Sequence, residues 1–248
     1  MTTYLAAEMN GAQFLAGNWE VALLTLGSTE NHGTHLPFAQ DTFVAYNIAL
    51  DVAAKTEGVM VLPPVYFGMS EHYQHAPFSI SLTPETMIGL ISDALKSVYR
   101  WGIKRIIIIN GHDGNLGPIE VATRQFKVDH PDVTIAACEK WWELPGQLLP
   151  EGTFAVWDGM GHAGEGETSI ALHYFPELVQ LDGAQGVVPV EPPYLSVKWL
   201  FHELTTVGTT GDPTQGTAEK GQQMAECVVN AICEFIKVMR EQDWRPCR

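Results

Sequence analysis

A chain of 248 residues, 46% hydrophobic and 17% charged, is long enough for one sizeable α/β core and shows no low-complexity tract or internal repeat. Its 14 basic and 29 acidic residues give a formal charge of −15, with no run of Lys or Arg, which argues against nucleic acid and anionic membrane partners. Met1 to Gly11 lacks the layout of a signal peptide, no apolar run could span a bilayer, and Cys138, Cys227, Cys233 and Cys247 form no C-x-x-C pair; together these predict a cytoplasmic protein with reduced thiols.

In chain order, apolar runs alternate with segments of helical period. The predicted strands are Val21–Leu26, Val59–Val65, Arg105–Asn110 and Val133–Cys138; the predicted helices are Thr42–Thr56, Pro84–Trp101, Leu116–Asp129, Glu167–Phe175 and about Thr217–Gln242. Alternating strands and helices predict one α/β domain over residues 1–248 with a mostly parallel sheet. The run Arg105 to Asn110, continuously β-branched in its middle, reads as a central strand buried on both faces. Pro84 and Gly216 near helix starts and Gly102 after a helix end fit the backbone preferences of those places.

Behind the first strand comes Gly27-Ser28-Thr29-Glu30-Asn31-His32-Gly33-Thr34-His35-Leu36-Pro37-Phe38-Ala39-Gln40-Asp41-Thr42. Glu30 and His32 are two apart, so in extended chain they leave on one side, and His35 and Asp41 return on the next loop. Glutamate, histidine and aspartate together suit zinc or manganese; a polar loop whose groups hydrogen-bond one another would read the same way. Gly111-His112-Asp113-Gly114-Asn115 follows the central strand at its carboxyl end, where ligand sites of open α/β sheets lie. Its glycines, with Gly117, miss the dinucleotide and P-loop spacings, so metal ligation ranks above phosphate binding. A third polar cluster, Trp157 to Ser169, opens a helix, and Glu167 there serves either a site or the helix dipole.

These clusters, GSTENHGTHLPFAQDT, IIINGHDGN and GHAGEGETS, together with the later GDPTQGTAEKG (Gly211 to Gly221), resemble the creatininase family of metal-dependent amidohydrolases. The resemblance implies a three-layer α/β/α domain, a centre of two divalent metal ions (zinc and/or manganese, with iron possible) and a homo-oligomer, commonly a hexamer. By position, Glu30 and His112 would hold one metal, His32 the other, and Asp41 would bridge them. Creatininase proper has a further carboxylate two residues after the equivalent of His112, where this chain has Gly114. The resemblance makes Glu167 the replacement ligand in preference to Glu165, and gives His162 the role of proton donor or oxyanion stabiliser. The change at Gly114 weakens the case for creatinine itself.

The expected reaction is hydrolysis of a C–N amide bond in a small molecule, expected to be cyclic, by a metal-activated water, with His162 and Glu167 as catalytic groups. A formamide hydrolase, a peptide-trimming hydrolase and a non-catalytic metabolite-binding protein on the same scaffold are the alternatives. His72, Trp142 and Trp157 are candidate substrate contacts, ahead of His75. Asp158 is a loose match to a family aspartate near the substrate. Trp141 reads as core, His130, His173 and His202 as surface or structural histidines, and Val228 to Val238 as a helix packing face.

Overall fold

The computed structural model describes residues 4–190, 192 and 194–246, so Met1 to Thr3 and Cys247 lie outside the described residues. Four parallel strands, β1 (Val21–Leu26), β2 (Val59–Val61), β3 (Arg105–Asn110) and β4 (Thr134–Cys138), form a sheet in the order β2-β1-β3-β4. The helices in chain order are α1 (Gly11–Ala16), α2 (Gln40–Lys55), α3 (Pro84–Arg100), α4 (Leu116–Asp129), α5 (Leu144–Leu148), α6 (Glu165–Tyr174), α7 (Phe201–Leu204) and α8 (Ala218–Glu241).

Side chains alternate across a strand, so each central strand feeds two cores. Val21 and Leu23 of β1 and Ile107 and Ile109 of β3 pack under α2, α6 and α8 with Ile48, Ile170 and Ile232. Ala22, Leu24, Ile106 and Ile108 face α3 and α4, where Met87, Ile91, Leu95, Ile119 and Phe126 close the other core. The result is the three-layer α/β/α arrangement, and burial on both faces is why β3 needs an unbroken isoleucine run.

The chain leaves β1 toward β2 and then returns to β3 and β4 on the other side. Right-handed crossovers therefore put α2 on one face and α3 and α4 on the opposite one. The direction reverses between β1 and β3, so their carboxyl ends flank a topological switch point.

The second strand is shorter than the Val59–Val65 run in the sequence. Pro63 and Pro64 have no N–H to give the ladder, and pairing resumes only at Val65, whose amide donates to Thr25 and whose carbonyl accepts from Gly27. Helix α3 starts at Pro84 behind a Thr83 cap, and α8 behind a Thr217 cap that accepts from the Lys220 amide. Gly102, at φ 88°, ends α3 in the left-handed region. Helices α1, α5 and α7 are too short to have left a periodic signal.

Candidate metal and catalytic site

Both polar turns leave the sheet at the switch point. Asn110, the last residue of β3, ties the strand ends together: its Nδ2 donates to the carbonyls of His112 (2.7 Å) and Glu139 (2.9 Å), while its Oδ1 accepts from the His112 amide (3.2 Å). Asn115 donates to the Gly27 carbonyl at 3.1 Å and accepts from the Met69 amide at 3.0 Å. Gly111 lets the first turn of α2 approach: a Cβ there would collide with the Asp41 carbonyl.

Six of the sequence-predicted residues converge here. Asp41 is central: Oδ1 lies 2.9 Å from His32 Nε2, and Oδ2 lies 3.1 Å from His112 Nδ1 and accepts from Ser28 Oγ at 2.7 Å. Glu30 Oε1 is 3.3 Å from the same His112 Nδ1 and 3.7 Å from His162 Nδ1. Glu167 Oε2 lies 3.7 Å from His32 Nε2 and accepts from the Ala163 amide at 2.6 Å. Donor atoms of Glu30, Asp41 and His112 fall within 4.8 Å of one another; so do those of His32, Asp41 and Glu167, and of Glu30, His32 and His162.

The imidazoles are oriented from behind. His32 Nδ1 lies 3.1 Å from the Glu30 carbonyl, and His112 Nε2 lies 3.1 Å from the Met69 carbonyl and 3.2 Å from Ser70 Oγ. Each histidine thus turns its other nitrogen to the carboxylates, the usual arrangement behind a metal ligand.

Burial, which disfavours charge, is outweighed at most of these groups by their neighbours. It opposes ionisation of Asp41, yet the His32 and His112 charges hold that carboxyl well below the usual carboxylate range. His32 is buried too, but Asp41 and then Glu167 draw it up to about 9, and Glu30 and Asp41 draw His112 well above its ordinary value. Glu30 is lowered because His112 overcomes its burial. At Glu167 burial prevails over His32, and the carboxyl rises to about 7. Burial and the nearby His32 charge push His162 down to about 3.

This donor set fits divalent cations. Three carboxylates share one buried cluster with no Lys or Arg among its contacts in the described residues, and protonated histidines there supply positive charge. Both oxygens of fully buried Glu30 lack an aligned hydrogen-bond donor. Buried carboxylate oxygens left without donors call for a cation.

A side chain at Gly114 would collide with the Met69 carbonyl and the His112 ring, so the position two residues after His112 has no room for a carboxylate. Glu167 approaches His32 from the first turn of α6 instead. Glu165, one of the two glutamates at that helix start, faces elsewhere: it accepts from the amides of Ala155 (2.8 Å) and Val156 (3.0 Å) and pairs with Lys220 at 2.6 Å. His35 also lies apart, with Nε2 against the Ala163 carbonyl and Thr168 Oγ1.

A cavity of about 150 Å³ opens over the cluster, lined by Trp142 and, unforeseen from the sequence, by Tyr73, Asp113 and Met160. His72 is not in the lining; it stacks on His112, ring centroids 5.7 Å apart and 12° from parallel. The short 3-10 turn Glu71–Tyr73 brings Tyr73 inward, 4.6 Å from the His162 ring and only 6% exposed. Trp157 is outside the lining as well, 38% exposed, and it and Asp158 both hold left-handed backbone angles. Trp141 is core. His130 packs on Tyr99 and Phe126, His173 on Tyr174 and His202 on His75.

Fold and donor set together fit a metal-dependent hydrolase of three-layer α/β/α architecture. The family model described as creatininase, creatinine amidohydrolase, matches residues 7–236, and the chain belongs to the creatininase family, whose members include hydrolases of amide C–N bonds. Its relatives include a mycofactocin precursor peptide peptidase of Mycobacterium ulcerans, 30% identical over 90% of this chain and 87% of that protein. A creatinine amidohydrolase of Pseudomonas putida is 28% identical over 88% of each chain. The crystal structure of a putative creatinine amidohydrolase from Bacteroides fragilis superimposes with a TM-score of 0.82 at 29% identity, covering 95% of both chains.

Proposed function

We propose that Glu30, Asp41 and His112 hold one divalent ion and His32, Asp41 and Glu167 a second, with Asp41 between them, and that the pair serves hydrolysis of a small, cyclic or otherwise compact, amide. The observation that carries this is the buried cluster of three carboxylates and two back-braced imidazoles, with neither Glu30 oxygen in an aligned hydrogen bond among the described residues. Creatininases of known structure, 25% and 26% identical to this chain, are described in a manganese form and a Zn-Zn type, which supports zinc or manganese here. Bound ions supply an acidified water and positive charge for the carbonyl oxygen.

The chain's own groups do the rest. His162 Nε2 lies 2.6 Å from the Asn31 carbonyl, so that nitrogen carries the proton and Nδ1 presents a lone pair on the Glu30 side. With Nε2 committed to the Asn31 carbonyl, Nδ1 is placed to take the proton of the attacking water and to return it to the leaving nitrogen. Glu167 fixes the loop that bears His162, through the Ala163 amide. Trp142 and Tyr73 exclude water above the cluster and set the width available to substrate.

A single domain working in the cytoplasm as a homo-oligomer, a hexamer by the family resemblance, completes the reading. Unpaired Cys138, Cys227 and Cys233 support the compartment, and exposed Val190, Tyr194 and Leu195 support association. The test is turnover of small lactams and N-formyl compounds by protein loaded with zinc or manganese, removed by a chelator and restored by the metal. No turnover across that panel in metal-loaded protein would overturn it.

A further inference from the structure

Tyr73 carries a hydroxyl that none of the steps above uses. The residue is 6% exposed and lines the cavity over the metal cluster, yet its Oη makes no hydrogen bond among the described residues. Nor is that oxygen sealed in protein, so it opens on the cavity. Burying a phenol without a partner is unfavourable, and phenylalanine would fill the same slot without that cost.

The phenol is also held rigidly. The ring centroids of Phe201, His72 and His162 lie 4.3, 4.4 and 4.6 Å from that of Tyr73. The Tyr73 amide donates to the Ser70 carbonyl at 2.9 Å, and the Tyr73 carbonyl accepts from the Ala76 amide at 2.8 Å. Ser70 is the residue whose Oγ lies 3.2 Å from His112 Nε2, and its own amide donates to Ser81 Oγ at 2.8 Å. One residue therefore braces a metal-ligand candidate and anchors the turn that presents the phenol. A donor fixed beforehand in this way stabilises growing charge most effectively, because nothing has to be ordered during the reaction.

The rest of the lining offers few such donors. Glu30, Asp41, Asp113 and Glu167 are acceptors, and His162 Nε2 is held by the Asn31 carbonyl. Tyr73 Oη and Trp142 Nε1 are left as side-chain donors without a partner among the described residues, and of the two Tyr73 packs directly on the His162 ring. A phenol keeps its proton at neutral pH and donates it in a hydrogen bond. Its acceptor comes with the substrate, and amide hydrolysis creates a strong one.

We propose that Tyr73 is a further catalytic residue, donating a hydrogen bond from Oη to the carbonyl oxygen of the amide as that oxygen becomes negative. As the water oxygen bonds to the carbonyl carbon, the C=O π pair moves onto the carbonyl oxygen, where Tyr73 meets it without giving up its proton. The pair returns when the C–N bond breaks, and the leaving nitrogen takes its proton from His162. This role rests on the hydrolase reading above and deepens it.

The two readings separate when one measurement needs no turnover. Dimethylphosphinate is a small tetrahedral anion whose oxygens stand for the attacking and carbonyl oxygens. Its affinity is measured by calorimetry for zinc-loaded wild type, for Tyr73→Phe and, in case that variant misfolds, for Tyr73→Met, with zinc content read on the same samples. The expected result is unchanged zinc content with affinity weakened at least about tenfold in either variant. Where small lactams or N-formyl compounds are turned over, kcat falls about 100-fold and KM changes by less than about threefold. Equal affinity in wild type and variants, no binding by the wild type, or a rise in KM with kcat unchanged overturns the role given to Tyr73. Absence of turnover alongside the weakened phosphinate binding counts against hydrolysis and leaves the Tyr73 donor in place.

Discussion

The two helical layers of the molecule obey different rules. On one face, α3 buries Met87, Ile91, Leu95 and Val98, an apolar stripe at near-regular four-residue spacing, and leaves its charges in solvent. On the other, α2 buries Gln40, Asp41 and Thr42 in its first turn, and α6 buries Glu165, Thr168 and Ser169. Only the second layer spends buried positions on polar groups, and it supplies Asp41 and Glu167 to the site. Departure from the packing pattern therefore coincides with the proposed site.

The sharpest break of that contrast lies within α6, where two glutamates two residues apart serve different ends. Glu165→Ala removes the buried partner of half-buried Lys220 and of two backbone amides, and is expected to destabilise the protein by about 3–5 kcal/mol while the folded fraction keeps its metal. Glu167→Ala is expected to lose metal and activity with a smaller change in metal-free stability, because burial already raises that carboxyl to about 7. Denaturant midpoints and metal analysis on the two variants decide this. Identical behaviour would erase the distinction.

Next in size is the packing layer. Ile91 is fully buried in the core under α3 and α4, so Ile91→Ala is expected to cost about 2–5 kcal/mol with metal content and kcat of the folded protein unchanged. A fall in kcat at full metal loading would show that this layer also shapes the site.

The smallest effect is one of pH. Burial, against the Ala163 hydrogen bond, lowers His35 to about 4, below the value near 6.5 of an unfolded histidine. Between those values the unfolded chain binds the extra proton, so stability falls as pH drops from about 6.5 toward 4, by up to about 1.4 kcal/mol per pH unit from this residue. Urea midpoints across that range should fall more steeply for wild type than for His35→Gln; equal slopes would put the residue's proton elsewhere.

Much of this was legible in the sequence, because the strands and long helices follow apolar periodicity that the tertiary structure honours. Helix ends moved by only one or two residues, and β2 was cut short by the proline pair already visible at 63 and 64. The carboxylates and histidines that converge were also visible, since Gly27 to Thr42 and Gly111 to Asn115 follow strands whose carboxyl ends meet at the switch point. Tyr73 was not. A 3-10 turn decides whether His72 or Tyr73 looks inward, and nothing in Glu71-His72-Tyr73 fixes the rotation of so short an element. Nor was the strand-end brace of Asn110 and Asn115, because an asparagine after a strand reads equally well as an ordinary turn residue.

The central claim is that Asp41 joins two ion sites, and metal content per chain tests it most directly. Protein dialysed against zinc or manganese and then freed of excess should hold about two equivalents, and Asp41→Ala, folded by circular dichroism, should hold close to none. Wild type near zero after metal is offered, or Asp41→Ala retaining the wild-type content, would contradict the account.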